Sequence, residues 1–283
     1  MRLNEVNLGL GGGSLLQVAN RSLNQMMSYV IESSDGKIIV IDGGHYCEED
    51  AEHLYELLME KGGHVDLWLL THAHVDHYGA LMWLMENHPV FDIHVEKLCY
   101  HFPSREWLAN KEGSEHISKF FSYIDKSNFH IEVPHAGDVM TFGDVSVEIV
   151  SHPEAYENYT INATSMVVLV HFPKQDVLFL ADLDTCGQAD FLRKADVSKI
   201  RKDIVQMAHH GQHGVDRSFY ELVQPKVCLY PAPKWLWENN QFKCEDPASI
   251  GTGPFTTLET RRWMEEMGVT KSYNHAEGDY LFT

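Results

Sequence analysis

Three histidines and an aspartate, His72, His74, Asp76 and His77, fall within six positions of "LLTHAHVDHYGAL" (69–81). A divalent ion such as zinc takes neutral imidazole nitrogens and ionised carboxylates as ligands. Side chains two apart on an extended segment point the same way, so His72 and His74 can grip one ion. Asp76 and His77 come after the chain has turned toward a helix, and they can face a second ion beside the first. Two neighbouring ions need a bridging group, and a carboxylate suits that task. Solvated loop histidines do not account for so many ligand types at the end of an apolar strand. Thr71, Gly79 and Ala80 are small and let the loop pack closely.

The flanking sequence supplies elements that would hold such a loop. "MMSYVIES" (26–33) and "GKIIVIDGG" (36–44) read as a hairpin around a Ser-Ser-Asp-Gly turn, with Asp42-Gly43-Gly44 at the exit. Residues 48–61 have acids first, Leu54, Leu57 and Leu58 on one face, and Gly62-Gly63 after them, which predicts a helix. "VDLWLL" (65–70) is a buried strand leading into the histidines, and 78–88 is a helix ended by Pro89. A strand over 91–101 and a helix over 114–127 follow. Strands flank 142–144 within 135–153, and a second hairpin spans 164–184. "IVQMAHHG" (204–211) is a strand running into His209 and His210. Helices at 216–224 and 256–268 alternate with strands at 226–233, 270–274 and 279–282. Residues 234–255 read as a long loop, where Trp235 and Trp237 with Tyr230 could wall a substrate, although packing is the commoner use of such aromatics. The order suits an α/β fold, an αββα sandwich of two mixed sheets with helices outside, as one domain over 1–283. "GLGGGS" (9–14) lacks a Walker lysine and a following helix, so it is not a phosphate loop. Residues 1–17 are expected to be a flexible start or a first strand.

Composition narrows the class. Hydrophobic residues make up 44% and charged residues 22% of the 283, enough apolar surface for a large core. A net charge of −19 repels phosphate backbones, so duplex nucleic acid is not expected as a partner. No apolar run is long enough for a signal peptide or a membrane span. The five scattered cysteines form no CxxC pair, which fits reduced, mostly buried thiols and a cytoplasmic protein.

His72-x-His74-x-Asp76-His77 behind a strand ending Asp42-Gly43-Gly44 resembles the signature of the metallo-β-lactamase superfamily. Two later segments extend the resemblance. "FLADLD" (179–184) implies Asp182 as the bridging carboxylate, and "VQMAHHGQHG" (205–214) implies a last histidine ligand. His209 and His210 are adjacent and would not share one ion; the resemblance favours His210 as ligand and leaves His209 to bond a substrate oxygen. The run from "HAGDVMTFGDVSVEIVSHP" through "NATSMVVLV" to the closing Gly278-Asp279-Tyr280-Leu281-Phe282 resembles the hydrolase domain of ComEC-type DNA-uptake proteins. It also resembles related phosphocholine esterases. Here the domain would be free-standing, since the membrane channel of the uptake proteins is absent.

One position departs from the pattern. Many members carry a further histidine some twenty residues before the bridging aspartate, where this chain has "ENYTINAT" (157–164) with Asn162. Either His152 reaches the first ion, or that ion has fewer protein ligands.

The resemblance implies two divalent ions, zinc by default with manganese or iron as alternatives, that activate water. Asp76 would ligate the second ion and orient the nucleophile, and Asp42 would hold the metal loop by hydrogen bonds. The expected substrate is a small or short phosphoester or phosphodiester. A lactone, thioester or other ester hydrolase is the alternative, and a degenerate binding module a third reading. A β-lactamase is disfavoured because Cys186 lies four residues past Asp182.

Overall fold

A computed structural model describes residues 3–88, 92–152, 154–243 and 246–283. In chain order the elements are β1 (Leu3–Val6), β2 (Ser14–Gln17), β3 (Tyr29–Glu32), β4 (Ile38–Ile41), α1 (Glu48–Glu60), β5 (His64–Val65), β6 (Leu67–Leu70) and α2 (Val75–Asn87). Next come β7 (His94–Val95), β8 (Leu98–Tyr100), α3 (Arg105–Leu108), α4 (Ser114–Ile124), β9 (Ile131–Glu132), β10 (Val139–Phe142), β11 (Val145–Ser151), β12 (Val167–His171) and β13 (Asp176–Phe179). The chain closes with α5 (Thr185–Lys194), β14 (Ile204–Gln206), α6 (Arg217–Val223), β15 (Val227–Tyr230), α7 (Lys234–Trp237), α8 (Thr257–Glu266), β16 (Lys271–Asn274) and β17 (Asp279–Phe282).

Two sheets form the centre. One has the order β1-β17-β2-β3-β4-β6-β8-β9 and the other β10-β11-β12-β13-β14-β15-β16; β5 and β7 make a separate parallel pair. Strand residues alternate between faces. Ile39, Ile41, Leu67 and Leu69 of the first sheet therefore meet Val147, Ile149, Val168 and Phe179 of the second in one core. The opposite faces, Val40, Trp68 and Leu70 on one side and Leu169, Leu178 and Val205 on the other, pack against helices. Leu54 and Leu58 of α1, Leu81 of α2 and Phe120 of α4 cover the first sheet, and Phe191 of α5 and Phe219 of α6 cover the second. The four-layer αββα sandwich is the architecture read from the sequence.

Several local expectations change. Helix α2 begins at Val75, so Asp76 and His77 lie in its first turn and not in a loop before it. The strand expected over 65–70 is β5 and β6, interrupted at Asp66. Residues 3–17 contribute two strands: β1 pairs with β17 and β2 pairs with β17 and β3. The glycines between them allow the turn, and Leu10 within it is wholly buried. Helix α5 gave no clear sequence signal, because Phe191 shares its buried face with Gly187 and the polar Gln188 and Asp190. Residues 234–255 contain α7, and Trp235 and Tyr230 are buried, with Trp235 Nε1 donating to the Leu23 carbonyl at 2.7 Å. That disposes of these two as an exposed substrate wall. Pro89, Phe91, Pro153 and Cys244 lie outside the described residues. Among the described cysteines Cys99 and Cys228 are buried, Cys47 is half-buried and Cys186 is exposed.

Candidate metal centre

The site is assembled at the carboxyl ends of strands, where loops leave both sheets at one edge of the sandwich. β4 delivers Asp42, β6 delivers Thr71 to His74, β13 delivers Asp182 and β14 delivers His209 and His210. Five non-glycine residues in these loops have left-handed backbone: Asp42 (φ 59°), Ala181 (48°), His209 (50°), His210 (57°) and His213 (39°). Each such residue costs of order 1 kcal/mol, and strain of this kind persists where the surroundings over-determine it. Two consecutive left-handed residues turn the chain sharply enough that His209 and His210 face different partners.

Asp42 holds the histidine loop. Its Oδ1 accepts the Thr71 backbone N–H at 2.8 Å, and its Oδ2 accepts the Thr71 hydroxyl at 2.7 Å and lies 2.9 Å from His77 Nδ1. That fixes the His77 ring with Nε2 directed at Asp182 Oδ1, 3.2 Å away. His210 Nδ1 donates to the Pro231 carbonyl at 2.6 Å, leaving Nε2 to face Asp76 Oδ2 at 3.0 Å and Asp182 Oδ1 at 3.7 Å. On the other side, His72 Nε2 stands 2.9 Å from His74 Nδ1, and Ser165 Oγ supports His72 Nδ1 at 3.2 Å. Helix α2 can approach this closely because Gly79 has no side chain: a Cβ there would lie 2.2 Å from Tyr46 N.

Two sets of donors result. Asp76, His77, Asp182 and His210 offer ligand atoms within 4.8 Å of one another, and so do His72, His74 and Asp182. Asp182 belongs to both. A fit to a metal can be tested on the buried atoms. His77 Nε2 and Asp182 Oδ1 are buried and face each other, yet neither has a well-formed hydrogen bond. Such orphaned atoms are costly unless something further binds them. Donors about 2.0–2.1 Å from a tetrahedral ion stand about 3.3 Å apart, close to the separations above. The donor set fits a divalent ion on each side of Asp182.

The charges within the centre hold its carboxylates ionised. Burial would raise the Asp76 carboxyl, but the His210 hydrogen bond and the charges of His77 and His210 hold it well below its usual range. Asp182 is lowered similarly: burial opposes, and His77, His210 and His209 outweigh it. His77 is pushed well up although burial opposes this, because Asp182 and Asp42 flank it. His72 is pushed well down by burial and by its histidine neighbours. The centre thus offers ionised carboxylates and, at His72, a neutral imidazole.

His152 is not brought into either group. Its ring stacks on His101 at 4.8 Å, and its Nδ1 accepts the Ala136 N–H at 2.8 Å. With that lone pair taken, the neutral ring carries its proton on Nε2 and presents no free ligand nitrogen. Asn162 comes to His72 instead: its Oδ1 is 3.0 Å from His72 Nε2 and its Nδ2 is 3.4 Å from His209 Nε2. His209, 19% exposed, stands 3.8 Å from Asp182 Oδ2 at the edge of the centre. His213 is held in its loop by Thr256 and Pro254. Two supports escaped the sequence reading. Ser165 Oγ accepts the Asp182 N–H at 3.2 Å, and buried Gln206 accepts the Leu180 and Ala181 N–H groups, each at 2.8 Å. Gln206 had left one signal, an amide inside the apolar strand "IVQM".

Comparison with known proteins bears on the family and the fold. ComE operon protein 3 of Bacillus subtilis (strain 168) is 25% identical over 222 residues, 73% of this chain; the match spans 26% of that longer protein. The metallo-β-lactamase fold protein YhfI from Bacillus subtilis superposes with a TM-score of 0.55 at 12% identity, covering 93% of this chain and 95% of that one. A mutant of the CmlA β-hydroxylase gives 0.52 at 12% identity, covering 93% and 52%. The Metallo-beta-lactamase superfamily model matches residues 23–221, a span that runs from β3 to α6 and contains every donor named above. The chain belongs to the metallo-β-lactamase superfamily.

Proposed function

We propose that this protein is a metal-dependent hydrolase in which two divalent ions share Asp182 and activate water against a phosphoester or phosphodiester. His72, His74 and Asp182 would hold one ion, and Asp76, His77, His210 and Asp182 the other. The observation that carries this reading is Asp182 itself: buried, ionised, common to both donor groups and with Oδ1 lacking a hydrogen bond. Bound there, the ions would bring a shared water toward neutral pKa and polarise the ester under attack. Asp76, whose side chain is 14% exposed, would ligate the second ion and, kept ionised, could accept a hydrogen bond that orients the water. His209 lies at the edge of the centre, where it can bond a substrate oxygen. Asp42 and Ser165 keep the imidazoles aligned. Zinc is our assignment for this histidine-rich set; manganese and iron also suit mixed histidine and carboxylate ligands.

The resemblance of the run from His135 to Phe282 to the hydrolase domain of ComEC-type DNA-uptake proteins supports the phosphoester class, and the charge of −19 supports a small or single-stranded substrate over duplex DNA. A fold shared with a β-hydroxylase shows why architecture alone does not name the reaction. The test is turnover of bis(p-nitrophenyl) phosphate beside lactone and thioester substrates, with His74→Ala as control. Diester turnover lost in His74→Ala is the expected result. Turnover of only the lactone or thioester would overturn the phosphoester assignment, and inactivity of the metal-loaded protein on every substrate would favour a binding module.

A further inference from the structure

The sequence carries a second doublet of ligand types, His64-Val65-Asp66 and His94-Val95-Glu96. Strands β5 and β7 pair in parallel with His64 opposite His94 and Val65 opposite Val95. Both valines are buried. Alternation along a strand then puts His64, Asp66, His94 and Glu96 together on the other face. The backbone enforces this register: His94 N–H donates to the Gly63 carbonyl at 2.8 Å and Glu96 N–H to the Val65 carbonyl at 2.9 Å. The two imidazoles stack with centroids 5.1 Å apart and planes 24° from parallel.

The spacing of donor atoms is informative. His64 Nε2 is 3.4 Å from Asp66 Oδ1 and 3.6 Å from Glu96 Oε2. Both separations exceed the roughly 2.7–3.2 Å of a good N–H···O bond. Both are near the edge of about 3.3 Å between ligands of one tetrahedral ion. Asp66 is rigid, because its Oδ2 accepts the Ile38 N–H at 2.9 Å while Lys37 Nζ reaches Oδ1 at 2.8 Å. Lys37 is half exposed and can swing into solvent. His64, His94 and Glu96 are also exposed, so an ion has open access.

We infer that His64, Asp66 and Glu96, with the His94 ring stacked on His64 beside them, form a second, separate site for a divalent transition-metal ion of the zinc type, which pins β5 to β7 and, through Asp66, to β4. Six steps of near-extended chain lead from Asp66 to His72, roughly 20 Å, so this ion lies away from the hydrolytic centre. It competes with Lys37 for Asp66 Oδ1.

The test is elemental analysis of the full-length protein after dialysis against zinc, with zinc titration calorimetry. The double variant His64→Ala/His94→Ala is expected to hold one ion fewer per chain than wild type and to keep its circular dichroism and its hydrolytic rate. Equal metal content would overturn the site. Lys37→Met is expected to bind that ion several-fold more tightly, since Oδ1 is released; unchanged affinity would remove Asp66 and contradict the arrangement. The comparison reads stoichiometry, so it stands whether or not the protein hydrolyses any ester.

Discussion

Asp42 shows how much of the centre depends on a residue with no metal contact of its own. One carboxylate fixes Thr71 twice and sets the His77 ring. Partners of this kind are worth about 10–100-fold in metal affinity or activity. Asp42→Asn is therefore expected to weaken zinc binding by about that factor, read by titration against a chelating indicator; unchanged affinity would mean that Thr71 and the helix position His77 unaided. Asp182→Ala is expected to abolish turnover, since it takes a donor from both groups at once. His72, His74, Asp76 and His77 were legible in the sequence because their partners lie within a few positions. Asn162, Ser165 and Gln206 were not assigned, because each acts on a residue brought close only by the fold. Asn162 meets His72 across 90 positions, and Ser165 meets it across 93. The choice left open at His152 has the same origin: it is the nearest histidine to the position without one, and the end of β11 turns its ring toward His101 and away from the centre.

At the level of elements, the centre requires α2 to start at His74, its N-cap, so that Asp76 and His77 project from the first turn. The loop after β4 must then cross α2 in close contact. A methyl group at Gly79 would meet the Tyr46 backbone at 2.2 Å, which neither side can relieve by a rotamer change. Gly79→Ala is expected to cost at least the roughly 1–3 kcal/mol of overpacking and to lower metal affinity, because the shift reaches His77 two residues earlier. Thermal unfolding and zinc titration of the variant measure the two effects, and a melting temperature equal to wild type would contradict the close crossing. Strands rich in Ile, Val and Leu, such as β4 and β12, declared themselves by composition. The short β9 did not, since two residues carry no period, and β5 and β7 read only as parts of the longer strands at 65–70 and 91–101.

Across the whole molecule, stability should follow the protonation of buried groups. His275 is wholly buried; burial above all, with nearby His210, lowers its pKa to about 3. The unfolded chain takes up a proton on this histidine near pH 6.5, and the folded chain does not until about 3. Stability from this group is thus present above pH 6.5 and is lost as pH falls toward 3, by up to about 1.4 kcal/mol per pH unit. His275→Gln is expected to flatten the fall in unfolding free energy between pH 6.5 and 4 relative to wild type, in urea titrations at each pH. An equal slope would contradict the burial of a neutral ring. No helix among the described residues is long and apolar enough to cross a membrane. The central claim is that two ions flank Asp182. Anomalous diffraction at the zinc edge, on crystals of the zinc-loaded His64→Ala/His94→Ala variant, tests it most directly. The expected map has two peaks about 3.5–4 Å apart on either side of the Asp182 carboxylate. A single peak, or none at Asp182, would contradict it.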